Sequence, residues 1–233
     1  MLKKKTIDLL GEIKDLKSVF SICIGKSHLY QIRFKDYLGE YKRWDTDCKE
    51  GILKLDDRVF SVEYIGSTSN SDNYWYSAEI EKVIPNDYVE LIMNTRKMME
   101  SLSIPVLSDK KILLNEDKEE DMAFKISAIY LAFAPQNVTL FCGRGYTNVY
   151  MFVKNLPDDI FQTIEPREFV TRIPEIISRF DVDHRLMIQA LLTENDIEYQ
   201  IDEKSIVAKF SEDAIITISF NENGLITGIS GKL

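Results

Sequence analysis

Cysteine and histidine are both scarce in this sequence, which has three cysteines and two histidines among its 233 residues. The cysteines, Cys23, Cys48 and Cys142, form an odd set with no C-x-x-C spacing. Neither a disulfide framework nor a zinc site is therefore expected. Reduced thiols in a cytoplasmic protein explain this usage better.

The shortage of histidine limits hydrolytic chemistry, because any Ser/His/Asp or Cys/His arrangement would have to use His28 or His184. No G-x-S-x-G nucleophile elbow accompanies either residue. His184 follows Asp181 and Asp183, and this group could hold a divalent metal or form a general base. An aspartate that caps the start of a helix is the interpretation that the pattern favours. We therefore expect no metal, cofactor or catalytic residue and favour a non-enzymatic protein.

Complete ion-binding loops are also missing. Residues 115–126, NEDKEEDMAFKI, offer oxygen ligands, but the sixth position is Glu120 instead of glycine and the twelfth is Ile126 instead of glutamate. Gly143-Arg144-Gly145 precedes a strand pattern, whereas a phosphate loop needs a helix there. We interpret the first segment as a solvated linker and the second as a hairpin turn.

No apolar run approaches the roughly 20 residues of a membrane-spanning helix. The basic start, MLKKK, has the charge of a signal peptide, but Asp8, Glu12 and Asp15 interrupt what would be its apolar core. We therefore expect a cytoplasmic protein without a membrane segment.

Positive charge is in the minority, since 29 basic residues face 38 acidic ones and leave a formal charge of -9. This balance opposes the phosphate neutralisation on which nucleic-acid affinity depends, so nucleic acid is not an expected partner. A basic protein would be steered toward such a surface. The sequence does not indicate an oligomeric state.

Apolar residues at helical spacing predict helices at 3–20 and 26–41, the second capped by Ser27. The period then becomes twofold and predicts strands at 44–48, 51–55 and 58–66, a loop at 67–73 and a strand at 74–82. Pro85-Asn86-Asp87 predicts the start of a helix that runs to about Ser101, and Pro105 stops the helix from continuing. A helix through Phe133 and a strand pair around a turn at 142–146 follow.

Beyond Pro157 the pattern predicts helices at about 166–179 and 183–195 and then four short strands, IEYQI, SIVAKF, AIITISF and LITGIS. The predicted fold class is α+β. An antiparallel sheet covered by helices forms a main domain at 1–160, and a small module of two helices and a four-stranded antiparallel meander occupies 161–233. The expected boundary lies near residues 156–166.

Three consecutive aromatics, Tyr74, Trp75 and Tyr76, cannot all point to the same side of a strand. They either pack beneath a helix or wall a recognition groove. The candidate ligand-binding residues are Trp44, Asp45, Asp47, Tyr74, Trp75 and Tyr76. In this interpretation the aromatic rings form the walls and an aspartate supplies the polar group.

Three segments carry a resemblance to a known family: Trp44-Asp45-Thr46-Asp47, Ile65-Gly66-Ser67 and Tyr74-Trp75-Tyr76. Over about residues 26–153 the chain resembles an uncharacterised bacterial family with a Trp-x-x-Asp strand, a Leu-Gly-Thr or Leu-Gly-Ser step and a Trp-x-Trp strand. Here isoleucine replaces the leucine and tyrosines replace the outer tryptophans. Because this family has no established activity, the resemblance implies a fold unit and a bacterial origin but no reaction.

Three functional hypotheses follow. The leading one is a non-enzymatic protein-binding module, for example an immunity-type protein that masks a basic toxin. The alternative is small-ligand binding or hydrolysis in a pocket walled by Trp75, Tyr76 and Trp44, with Asp45 or Asp47 as the polar group. The third is a structural or stress-related domain with no dedicated site.

Overall fold

A computed structural model describes residues 1–12, 15–69, 72–104, 107–114, 119–135 and 137–232 of the chain. Contacts divide the chain into two units. The large unit comprises Met1 and Tyr30–Phe161, and the small unit comprises Leu2–Leu29 and Gln162–Leu233. The domains expected at 1–160 and 161–233 follow chain order and stay a prediction, whereas the contacts group the N-terminal segment with the C-terminal one.

The described residues form helices α1 (Lys4–Asp8), α2 (Leu16–Leu38), α3 (Glu90–Ser101), α4 (Glu119–Phe133), α5 (Pro166–Arg179) and α6 (His184–Glu194). The division between the two units falls within α2, so Leu16–Leu29 belong to the small unit and Tyr30–Leu38 to the large one. Among the described helices, none combines the length and the apolar character needed to cross a bilayer.

The large unit is built on a seven-stranded antiparallel sheet, and its longest strand organises the rest. The first residues of this strand, β3, pair with β2, its last residues pair with β4, and β7 runs beside it from Val62 to Ser69. The outer strands β1, β5 and β6 pair with β2, β4 and β7. The strands are β1 (Trp44–Asp47), β2 (Ile52–Leu55), β3 (Arg58–Ser69), β4 (Tyr74–Ser77), β5 (Lys111–Leu113), β6 (Thr139–Gly143) and β7 (Thr147–Val153).

Helices α3 and α4 pack against β3, and α4 also contacts β6. The core therefore lies between the sheet and these helices, where apolar side chains are removed from water. Its fully buried members include Val62 and Ile65 of β3, Trp75 of β4, and Tyr130 and Phe133 of α4. The predicted antiparallel sheet covered by helices is confirmed.

The small unit holds α5, α6 and a four-stranded antiparallel sheet of order β11-β10-β9-β8. Alternate residues of its central strands, such as Ile206, Ala208, Ile216 and Ile218, are buried on one face, as the twofold period predicts. The predicted α+β class with a C-terminal meander is confirmed. The strands are β8 (Glu198–Ile201), β9 (Ser205–Lys209), β10 (Ile215–Phe220) and β11 (Ile226–Lys232).

The N-terminal helices differ from the prediction. The sequence predicts a break before a Ser27 cap, but α2 is continuous from Leu16 to Leu38 and Ser27 is buried inside it. Gly25 lies where α6 approaches α2, since a Cβ placed on it would lie 3.2 Å from the Cβ of Leu191. Packing of this kind outweighs the low helix propensity of glycine. Ile13, which the predicted first helix includes, lies outside the described residues.

The strand predicted at 74–82 ends at Ser77, where a short 3-10 helix, Ala78–Ile80, begins. The Ser77 hydroxyl accepts a hydrogen bond from the Glu79 amide, and the Glu79 carboxylate pairs with Arg96 of α3. These polar contacts turn the chain away from the sheet. Strand β5 has no counterpart in the prediction because three residues carry too little periodicity. The predicted features at residues 70–71, 105 and 115–118 lie outside the described residues.

Candidate functional site

Strand β1 contains three of the predicted site residues, Trp44, Asp45 and Asp47, and places them on two different faces. Trp44 and Thr46 lie on one side, and Asp45 and Asp47 are exposed on the other. Thr46 fixes this orientation, because its hydroxyl donates to the carbonyl of Ile52 and shares a 2.6 Å hydrogen bond with the Tyr64 hydroxyl. Burial raises the pKa of Tyr64 to about 12, so its phenol stays protonated.

The carboxylates of Asp45 and Asp47 serve the local backbone. Asp45 accepts from the Thr46 amide at 2.9 Å, and Asp47 accepts from the Lys49 amide at 3.0 Å. Such contacts are typical of aspartates at turns. Asp47 therefore orders the turn between β1 and β2, and both carboxylates lie on the face of β1 opposite to Trp44.

Trp75 lies inside the large unit. Its side chain is 0% exposed and stacks on Tyr130 of α4, with ring centroids 6.0 Å apart and planes inclined by 14°. The indole nitrogen is buried without a hydrogen-bond acceptor in the part of the chain that the structure describes. A ligand could reach this ring only if α4 moved away from β4.

Tyr74 and Tyr76 flank Trp75 and point to the other side of β4. The ammonium of Lys111, on neighbouring β5, lies 3.9 Å from the ring centroid of Tyr74 and 5.0 Å from that of Tyr76. The Tyr76 hydroxyl donates to the Asp72 carboxylate, and this hydrogen bond raises the pKa of Tyr76. The pair forms a small cation–π cluster.

The six predicted residues thus lie in separate places: the two faces of β1, the core, and the outer face of β4. The structure does not gather Trp44 and Trp75 around one opening. Their role in ligand binding stays a prediction.

Trp44 instead belongs to an aromatic surface that the sequence did not indicate. Its ring is 6.2 Å from that of Phe141, whose ring lies 6.1 Å from Tyr41, and its indole nitrogen donates to the carbonyl of Arg144 at 3.2 Å. Gly143 allows the close approach, because a Cβ there would lie 2.5 Å from the indole. Tyr146, 77% exposed, ends the same turn. We call Tyr41, Trp44, Phe141, Arg144 and Tyr146 the Trp44 surface.

A small pocket of about 230 Å³ adjoins the Trp44 surface at Tyr41. Its lining includes the carboxylates of Glu40, Asp56 and Asp57. The Asp56 carboxylate accepts from the amides of Lys42 and Arg43 at 3.0 and 2.9 Å. Glu40 and Asp57 form no ion pair with any described residue, so both are available to a cation.

Arg58 also lines this pocket. Its guanidinium donates to the carbonyls of Tyr37 and Leu38 and lies 4.5 Å from the ring centroid of Tyr37. These bonds hold Arg58 against the end of α2. The pocket therefore has a volume suited to one side chain and an excess of negative charge.

The buried acids of the large unit have structural partners. Glu79, 2% exposed at its side chain, receives two bonds from Arg96 at 2.8 and 2.6 Å and one ion pair from Lys110. Burial favours the neutral acid, but these cations outweigh it and lower the pKa of Glu79. Glu63 accepts from the Leu91 amide and from Lys154. Within the described residues, no group of three or more His, Cys, Asp or Glu side chains could hold a metal ion.

Four residues outside the predicted set complete the Trp44 surface: Tyr41, Phe141, Arg144 and Tyr146. Tyr41 follows α2, and Phe141 and Arg144 lie about 100 positions further along the chain. The only sequence signal for their meeting is the Gly143-Arg144-Gly145 turn, since glycines mark places where another group approaches the backbone closely.

Comparison with known proteins identifies a family. No curated protein and no solved structure shows significant similarity to the chain. A family described as a family of unknown function, DUF6882, matches residues 17–156. This range contains β1 to β7, the Trp44 surface and the neighbouring pocket. The chain therefore belongs to this family of unknown function.

Proposed function

We propose that this protein is a non-enzymatic protein-binding module of the bacterial cytoplasm and that the Trp44 surface contacts a basic protein partner. Specifically, the protein would act as an immunity-type protein that masks a basic toxin. The observation that carries the proposal is the exposure of Tyr41, Arg144 and Tyr146 around the half-buried ring of Trp44.

The composition of the Trp44 surface supports protein binding. Tyrosine, tryptophan and arginine are enriched in protein interfaces and among the residues that contribute most to affinity. Trp44 is held in place by the buried ring of Phe141 and by the Gly143 turn, so little side-chain entropy is lost when a partner covers it.

The charge distribution supports a basic partner. Glu40 and Asp57 line the pocket next to Tyr41, and the whole chain carries a formal charge of -9. A lysine or arginine of the partner would pair with these carboxylates while its aliphatic stem packs on Tyr41. The long-range field of the acidic chain would raise the association rate at low salt.

The test begins with capture of proteins from the native cell lysate by the tagged protein, followed by purification of each candidate. Binding is then titrated by fluorescence with Trp75→Phe as the starting variant. Since the chain has only two tryptophans, Trp44 is then the sole reporter. A real partner changes the Trp44 emission and binds more weakly at about 0.5 M salt than at about 0.1 M.

The decisive variant is Tyr41→Ala together with Tyr146→Ala, which removes two exposed rings and leaves the core intact. We expect affinity to fall by about 30-fold, which corresponds to roughly 2 kcal/mol for a central aromatic pair. Val83→Ala, another exposed apolar residue of the large unit, is the matched control and should bind normally. Equal binding by the double variant, or absence of any partner, would refute the proposal.

A further inference from the structure

The small unit contains a groove of about 1030 Å³ whose charge is opposite to that of the chain as a whole. Four lysines line it, Lys3, Lys4, Lys5 and Lys209, together with two carboxylates, Asp196 and Glu198. Lys3 pairs with Asp196 at 2.7 Å, and Lys209 pairs with Glu212 at 2.7 Å.

Lys4 and Lys5 are both exposed, and neither forms an ion pair with a described residue, although Lys3 and, less strongly, Lys5 lower the pKa of Asp196. The groove therefore presents two available ammonium groups in a chain of formal charge -9. Anionic groups would be attracted to this place and repelled by most of the remaining surface.

The rest of the lining is largely apolar and includes Leu9, Tyr199, Val207 and Ile215. Tyr199 belongs to β8 itself, whereas Val207 and Ile215 lie on β9 and β10, farther from the free edge of the sheet. Apolar side chains here would gain stability if another chain covered them, because burial removes their surface from water. A simple inorganic anion would not cover them, so the lining favours an occupant with apolar side chains as well as carboxylates.

Strand β8 lies along the groove and forms an edge of its sheet. The Asp202 amide donates to the Ser205 carbonyl at 2.8 Å, which identifies these residues as a hydrogen-bonded pair at the end of the β8–β9 hairpin. Hydrogen-bonded and non-hydrogen-bonded pairs alternate in an antiparallel ladder. The N–H and C=O groups of Tyr199 and Ile201 therefore point away from β9, toward the open edge.

We propose that this groove binds an extended, acidic segment of a partner protein, which adds to β8 as a further strand. The outward backbone groups of Tyr199 and Ile201 form the main-chain hydrogen bonds, and Lys4 and Lys5 pair with carboxylates of the segment. This interface is separate from the Trp44 surface and takes a ligand of opposite charge, so each proposal can fail alone.

The test uses the full chain and a fluorescent, end-capped octapeptide of alternating valine and glutamate. Fluorescence anisotropy should show saturable binding of this peptide and none of its valine–lysine counterpart. Lys4→Glu with Lys5→Glu should weaken binding by about tenfold or more, as expected when two exposed ion pairs become repulsive. The matched control is Arg167→Glu with Lys204→Glu, which changes the net charge equally at exposed residues outside the groove lining and should bind normally.

Two N-methylated versions of the peptide test strand addition itself. Methyl groups on all valine amides block one edge of the extended peptide, and methyl groups on all glutamate amides block the other. We expect one version to lose binding and the other to keep it. In hydrogen exchange, the amides of Tyr199 and Ile201 should be fast in the unliganded protein and slow with bound peptide, while that of Gln200 stays slow throughout.

Three results of the binding measurements would overturn the proposal. They are equal binding by both methylated peptides, binding of inorganic tripolyphosphate as tight as that of the acidic peptide, and no peptide binding at about 1 mM, a concentration that covers the weakest specific contacts. A dimer of the protein that the Lys4→Glu, Lys5→Glu variant cannot form would also overturn it, because the occupant would then be a second copy.

Discussion

Gly66 lies where β3 passes beneath the ring of Trp75. A Cβ on this residue would lie 2.4 Å from the Tyr76 carbonyl oxygen and 2.5 Å from the Trp75 ring. Neither neighbour can move easily, since one is backbone and the other is packed against Tyr130. The close approach of β3 and β4 therefore depends on the absence of a side chain.

We expect Gly66→Ala to reduce the free energy of unfolding by about 3 kcal/mol, the upper part of the range for overpacking. Urea denaturation followed by the fluorescence of the buried Trp75 measures this change. Gly228→Ala is the control, because a Cβ there meets nothing within 4 Å. It should alter stability by less than about 0.5 kcal/mol. Similar effects of both changes would contradict the packing argument.

His28 is a buried residue of the small unit whose charge depends on pH. Burial lowers the pKa of His28 below its ordinary value of 6.5, although the Glu175 carboxylate, 3.5 Å away, acts in the opposite direction. Arg179 and Arg172 also oppose protonation. We regard burial as dominant because the imidazole lies within the packed unit, whereas Glu175 is partly exposed and shares its charge with Arg172.

A lowered pKa in the folded state means that the unfolded chain takes up a proton first as the pH falls. The contribution of His28 to the free energy of unfolding is therefore complete above about pH 6.5. It is lost as the pH falls from about 6.5 to the lower pKa that His28 has in the folded state. His28→Gln should flatten the decline in unfolding free energy between about pH 7 and pH 5. Some slope remains, since burial also lowers the pKa of His184. An unchanged slope in urea titrations across this range would show that His28 is not the cause.

Helix α6 shows how a sequence pattern defines the start of an element. Asp183 is its N-cap, and the carboxylate accepts a 2.9 Å hydrogen bond from the Leu186 amide. Asp181, two residues earlier, makes an exposed ion pair with Lys17 instead. The prediction that one of these aspartates caps the helix is confirmed.

We expect Asp183→Ala to cost about 1 kcal/mol, the usual contribution of a carboxylate N-cap. Asp181→Ala should cost less than about 0.5 kcal/mol, because exposed ion pairs contribute little. Thermal and urea unfolding of the two variants, compared with the unaltered protein, provide the measurement. The reverse order of effects would mean that the capping hydrogen bond is not what stabilises α6.

Elements with strong local signals were predicted well. Helix α5 has the predicted bounds, and the four strands of the small unit follow tight-turn sequences such as Asn221 to Gly224. Elements that depend on distant partners were not. Strand β5 is only three residues long, and its pairing with β4 places Ile112 opposite Trp75. No local pattern could have indicated that partner.

The two compact units make a prediction about independent folding. In the small unit the ring of Phe20 packs edge-on against Phe180, with centroids 5.5 Å apart. Glu194 of α6 accepts bonds from the Lys3 amide and the Thr6 hydroxyl and pairs with Lys26. The N-terminal segment therefore supplies both apolar contacts and the partners of a nearly buried carboxylate.

We expect a fragment of residues 162–233 to be unfolded, since it leaves the Glu194 carboxylate without its partners and the Phe180 ring uncovered. Circular dichroism and two-dimensional NMR would show this directly. Addition of a peptide of residues 2–29 should restore helix content and dispersed amide signals. A fragment that folds alone would support the boundary expected from chain order.

Local pattern was enough to predict the α+β class, the meander of the small unit, the hairpin at Gly143–Gly145 and the cap of α6. All of these arise from interactions between residues close in sequence. The continuity of α2, the burial of Trp75 under Tyr130 and the separation of Trp44 from Trp75 depended on the three-dimensional packing. The physical reason is that a side chain's burial is set by what covers its face of a strand. Trp75 is covered by α4, more than 40 residues away in sequence. Asp45 and Asp47, on the outer face of β1, are covered only by solvent.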